Sequence, residues 1–203
     1  MRTRLSKSDR RDTILKTARQ LITEKGLTST EMEDIRLACG ISRGGLYHHF
    51  ANKRAVLDAL VAGEVASLAD AMTSKDTSPI PALLLAGSRH LGNDPGLAAA
   101  LNTPAEKRDY LSALDTAFSS LLTGVLSDRI TNDVQEGTNP EHVAELFVTI
   151  SAHINRREIL GQWSGAQSAG FAATSLEALA PLLASPKELA PIIADLKKRA
   201  TQP

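Results

Sequence analysis

Within CGISRGGLYHHF, residues 39–50, a guanidinium, a phenol and an imidazole fall inside six positions as Arg43, Tyr47 and His48. These are groups for holding nucleic acid. Arg43 and His48 offer N–H donors to base edges or phosphates, and Tyr47 offers its hydroxyl to a phosphate. If the stretch is helical, Leu46 and Phe50 lie four apart on an inner face. Arg43, Gly44, Tyr47 and His48 are then left facing outward. Two adjacent glycines each cost a helix ~1 kcal/mol relative to alanine. Glycine makes sense there if the backbone must come close to something. The run reads as a recognition helix for a DNA major groove.

Such a helix has to be held by its neighbours, and the sequence supplies them. A first helix is predicted over residues 8–25, with Ile14, Leu15, Ala18, Leu21 and Ile22 as its stripe and Gly26 as its stop. Thr30 followed three residues later by Glu33 predicts a capping box opening a second, short helix, which Gly40 ends. Ser42 is placed to cap the third helix. Asn52 is placed to cap a fourth, starting at Lys53 and running to about residue 73. Lys53 adds a charge where a helix N-terminus already favours an anion. Three short helices feeding a long one, with a glycine turn between the second and third, spell helix-turn-helix.

Charge points the same way. The 203-residue chain is formally neutral, yet residues 1–60 hold 12 Lys/Arg against 7 Asp/Glu and the remainder holds 11 against 16. A basic head on an acidic body suits a head that meets a polyanion. Cys39 is the only cysteine, so no intrachain disulfide forms and a reducing cytoplasm is expected. The basic start lacks the apolar run of a signal peptide, and no stretch approaches the ~18 apolar residues of a membrane span. The expected protein is cytoplasmic, with no membrane partner.

The ordered set TSTEMEDIRLACGISRGGLYHHFANKRAVLDAL resembles the DNA-binding domain of the TetR family of bacterial transcriptional regulators, over residues 10–60. The resemblance implies an all-α fold. A helix-turn-helix domain over residues 1–54 is followed by a helical bundle over 55–203 for ligand binding and dimerisation. It implies phosphate contacts from Thr30, Tyr47 and Lys53, and a DNA-facing side lined by Arg36, Ser42, Arg43, Gly45 and His48. Two positions depart from the family pattern. Gly45 stands where Thr, Ala or Ser is common, and Cys39 where a small residue such as Ala is usual. The implied protein is a homodimeric repressor that binds a palindromic double-stranded DNA operator and is released by a small-molecule effector. The alternatives are a DNA-binding regulator with no such effector, or an activator.

The body carries no second motif of that strength. Helices are predicted at 79–92, 95–102, 104–130, 140–163, 167–184 and 187–200, separated by SKDTSPIP, GNDPG, QEGTNP and ASP. Apolar stripes on the helices near 140–163 and 167–184 suit a four-helix dimer interface or the subunit's own core. Candidate ligand contacts are Asn102, Tyr110, Phe118, His153 and Trp163, with Met72, Leu83, Leu84 and Leu101 as possible apolar wall. His142 and His153 share a helix face, but eleven residues span ~16 Å, too far for one metal ion. No metal or cofactor is expected. The chain shows no paired carboxylates, nucleophile elbow or phosphate loop, so no enzyme is expected either.

Overall fold

The computed structural model describes residues 6–72, 97–121 and 131–202. They contain eight α-helices: α1 Lys7–Lys25, α2 Met32–Cys39, α3 Arg43–His49, α4 Lys53–Met72, α5 Pro104–Leu121, α6 Pro140–Ile159, α7 Gly165–Leu179 and α8 Ala190–Ala200. Short 3-10 turns lie at Leu97–Ala100, Ala180–Leu182 and Pro186–Leu189. The expected all-α class holds. The helix predicted at 95–102 is a 3-10 turn, the one predicted at 167–184 gives way to 3-10 after Leu179, and the one at 79–92 lies outside the described residues, with Leu83 and Leu84.

Two compact units emerge. Residues 6–64 with 97–114 form one, and residues 65–72, 115–121 and 131–202 form the other. In the first, α1 begins with a reciprocal cap: Ser6 Oγ accepts from the Asp9 N–H at 3.0 Å, and Asp9 Oδ2 accepts from the Ser6 N–H at 3.2 Å. α2 does not start as expected. Its N-cap is Glu31, whose N–H donates to Asp34 Oδ2 at 2.8 Å. Thr30 is fully buried instead, its hydroxyl donating to the Gly26 carbonyl at 2.8 Å. Gly40 ends α2 in the left-handed conformation, φ 62°, which only glycine adopts without strain. That one residue turns the chain from α2 into α3. Ile14, Ala18, Ile22, Ile35, Leu46, Phe50, Val61 and Leu97 fill the core of this unit.

In the second unit, α7 lays a small-residue face, Ala169, Ala172 and Ala173, into the core. A Cβ on Gly170 would sit 3.5 Å from that of Ala200 at the end of α8. Close approach of this kind raises dispersion contact between helices. α6 contributes Val143, Phe147 and Ile154, and an isolated antiparallel bridge joins Val134 to Leu183.

Candidate nucleic-acid interface

α3 is only seven residues long, so it depends on its ends and its inner face. Ser42 Oγ accepts from the Gly45 N–H at 3.1 Å, and the Phe50 N–H reaches the Leu46 carbonyl at 3.0 Å. Leu46 is fully buried and Phe50 nearly so. Burying side chains of this size stabilises by roughly 1.5–3 kcal/mol each. With that face pinned, Ser42, Arg43, Gly44, Tyr47 and His48 are exposed, and Gly45 is half-buried.

Tyr47 is 43% exposed, and the Arg43 guanidinium lies 5.7 Å from its ring centroid. This contact steadies both groups on the outer face. A Cβ on Gly45 would come within 3.2 Å of the Ser42 hydroxyl, crowding the cap. Around Gly44 a Cβ would meet nothing within 4 Å. The fold therefore gives no internal reason for glycine at that position.

The other expected contacts are drawn into the unit itself. Arg36 donates to both carboxylate oxygens of Glu33 at 2.6–2.9 Å and to the Ile41 carbonyl at 3.0 Å, tying α2 to the turn. Its hydrogen bond holds the Glu33 carboxyl below the usual range. Lys53 Nζ lies 3.3 Å from the Leu27 carbonyl, 3.2 Å from that of Thr28 and 3.4 Å from Glu31 Oε1. An ammonium has three donors, and all three have acceptors here. With Thr30 buried, three of the eight expected contacts are engaged at the α1–α2 loop and the α2–α3 turn, and five lie along α3 or at its cap.

Sequence reasoning missed the groups that lock this unit. The Glu106 carboxylate, 4% exposed, accepts from the backbone N–H groups of Thr28 at 2.5 Å, Asn102 at 2.7 Å and Thr103 at 2.8 Å. Burial pushes its pKa up, but these hydrogen bonds outweigh burial and hold it at about 2. Glu64 Oε1 is bridged by Arg19 at 2.9 Å, and its Oε2 accepts from the Tyr110 hydroxyl at 2.9 Å, joining α1, α4 and α5. Burial, then the Glu64 charge, raises the Tyr110 phenol.

Two of the five candidate ligand contacts are accounted for in this way. Asn102 and Tyr110 lie in the first unit, where Tyr110 is bonded to Glu64 and the Asn102 side chain donates to the Ala100 carbonyl at 3.2 Å. Their polar groups are committed to the fold of that unit. The remaining three are in the second unit. Phe118 is buried on α5. His153 and Trp163 come together at 5.2 Å between ring centroids, and Phe171 lies 5.6 and 5.1 Å from them. Arg157 stands 5.5 Å over the Trp163 ring. Phe171 and Leu146 are exposed, at 39% and 44%. Glu158 was also missed. It is 9% exposed, Oε2 has no hydrogen-bond partner, and burial, opposed by Ser168, pushes its pKa up to about 7.

Residues 14–60 match the family model described as bacterial regulatory proteins, tetR family. The chain is 32% identical over 134 residues, 59% of its length, to the HTH-type transcriptional repressor KstR2 of Rhodococcus jostii, strain RHA1. These matches support a TetR-family regulator, with the family's DNA-binding segment at residues 14–60. The alignment spans 65% of the Rhodococcus repressor's own length. Solved structures agree on the fold. A TetR-family transcriptional regulator from Rhodococcus sp. superposes with a TM-score of 0.59 at 18% identity, covering 87% of this chain and all of that one. The SmeT–triclosan complex superposes at 0.53 and 19% identity, covering 83% and 90%. The chain carries its helix-turn-helix at the N-terminal end and a helical body after it.

Proposed function

We propose that this protein is a transcriptional repressor that binds a palindromic double-stranded DNA operator as a homodimer and is released by a small molecule. Reading is assigned to residues 1–54, and sensing and pairing to 55–203. The observation that carries the reading is the outer face of α3. Arg43, Tyr47 and His48 project from it, and Gly44 keeps its backbone bare where the fold itself has no use for a bare backbone. In this reading Tyr47 and Ser42 hold phosphate, Arg43 and His48 reach bases, and Gly44 and Gly45 let the helix approach. Thr30 and Lys53 fix the loop before α2, and Arg36 fixes the turn that leads into α3.

Exposed Leu146 and Phe171 support a self-association face on α6 and α7. Among the described residues no helix is long and apolar enough to cross a membrane. A cytoplasmic protein without catalytic activity fits this reading. Release by a small molecule is supported by the ligand-bound SmeT relative and by α4, one unbroken helix from Lys53, at the reading end, to Met72 in the body.

The test is selection of bound duplexes from a random pool at physiological salt. Recovery of two inverted half-sites separated by about one or more turns of DNA is the expected result. Recovery of no sequence preference, with a dimer in solution, sinks the operator reading.

A further inference from the structure

Ten Lys/Arg lie between residues 6 and 60, and five of them hold carboxylates: Arg19 with Glu64, Lys25 with Asp34, Arg36 with Glu33, Lys53 with Glu31, and Arg54 with Asp58 and Asp109. Lys7, Arg10, Arg11, Lys16 and Arg43 have no carboxylate partner among the described residues. Their placement is uneven. Arg43 opens α3. Lys7, Arg10 and Arg11 gather at its other end, where all three, with His48, depress the pKa of His49 after the larger effect of burial. The Arg11 guanidinium lies 5.0 Å from the ring centroid of Phe50, the residue that ends α3.

The gathering is unfavourable by itself. The three cations stand in the first two turns of α1, where the helix dipole favours anions. They also repel one another and the two histidines. Asp9 is held by the Ser6 cap, and Asp12, exposed on the same helix, leaves the cluster with a positive excess. Of the five cations left without a carboxylate, these three are the ones that crowd together, beside the His48–Phe50 end of α3.

We infer that Lys7, Arg10 and Arg11 form a second anion-binding ridge, which grips the phosphate backbone of the duplex whose bases α3 reads. The inference rests on the operator reading and extends it. The ridge supplies affinity without sequence preference, because phosphates carry no sequence information. It stands at the His48–Phe50 end of α3, so it holds the backbone flanking the bases that the helix contacts.

The test compares Lys7→Gln/Arg10→Gln with the unaltered full-length protein on a random-sequence duplex and on the selected operator, across 50–200 mM salt. Glutamine keeps much of each stem and removes the charge. The slope of log K against log salt is expected to fall by about 1.8 per bound protomer, roughly 0.9 per phosphate contact, with a loss of roughly tenfold or more in affinity on both duplexes alike. Arg11→Gln, measured separately because of its contact with Phe50, is expected to lower the slope by about 0.9. Lys16→Gln, an unpaired cation on the same helix outside the cluster, is expected to leave it unchanged. An unchanged slope in the double variant, or an equal change in Lys16→Gln, overturns the ridge. If Tyr47→Ala still weakens binding in that case, the operator reading stands without it. If Tyr47→Ala has no effect either, the reading of α3 fails too.

Discussion

Glu106 and Glu158 are both buried glutamates on helices, and their surroundings drive them in opposite directions. Glu106, in the reading unit, is given three backbone N–H groups and is held at about 2. Glu158, in the body, keeps an oxygen with no partner and is pushed up to about 7. Ser151 Oγ, on the same face of α6 two turns earlier, is buried without a partner as well. The reading unit thus satisfies its buried charge completely, and the body leaves buried polar atoms unsatisfied at a cost of roughly 1–3 kcal/mol each. A reader gains from one fixed geometry. A body with unmet hydrogen-bonding capacity has more to gain from changing its state.

The largest expected effect is on the satisfied side. Glu106→Ala leaves three backbone donors without their acceptor and is expected to cost about 3 kcal/mol in urea unfolding at pH 7. Because the folded pKa is below the ordinary 4.5, the wild-type contribution is present above that value and is lost as pH falls toward 2. A profile flat between pH 6 and 2 sinks the claim. Glu158 has the reverse sign. Its folded pKa is above the unfolded one, so its relative stability is full below 4.5 and declines as pH rises through about 7. Glu158→Gln is expected to stabilise the protein by roughly 2 kcal/mol at pH 8 and by little at pH 5. A loss of stability at pH 8 removes the contrast between the units.

Smaller effects sharpen the comparison. Tyr110→Phe removes one hydrogen bond to Glu64 and is expected to destabilise by about 1 kcal/mol. No change means that the Arg19–Glu64 pair alone holds those helices together. Gly44→Ala fills open space on a helix, so thermal unfolding is expected to show a gain of about 0.5–1 kcal/mol. Duplex affinity in the same variant is expected to fall. A variant that is more stable and binds equally well means that the backbone of α3 does not approach DNA.

The α3 helix was legible because its signals are local. Leu46 and Phe50 are four apart, Ser42 precedes its helix and Gly40 its turn, and each takes the position its spacing dictates. Thr30 misled because two overlapping pairs, Thr30 with Glu33 and Glu31 with Asp34, satisfy the same capping spacing. The tie is broken by the Gly26 carbonyl, which takes the Thr30 hydroxyl inside. Nothing in a sequence shows that the Leu27 and Thr28 carbonyls of the α1–α2 loop will converge on Lys53, or that the Ile41 carbonyl will turn back onto Arg36. Glu106 was half legible. Thr103 and Glu106 form a capping pair at the start of α5, with Glu106 N–H on Thr103 Oγ1 at 3.2 Å. Its bond to Thr28 spans 78 positions, and no local pattern encodes it. Asn102 and Tyr110 were assigned to a pocket for their polarity alone, which cannot distinguish a ligand contact from a structural one.

The single cysteine offers practical access to this architecture. Cys39 is half-buried in the last turn of α2, one residue before the glycine that swings the chain into α3. A spin label or fluorophore attached there needs no background cysteines removed and adds one reporter per chain. In a two-chain assembly the pair of labels forms a ruler between the two reading helices. Its length, with and without a candidate small molecule, would give in ångströms what binding assays report only as occupancy.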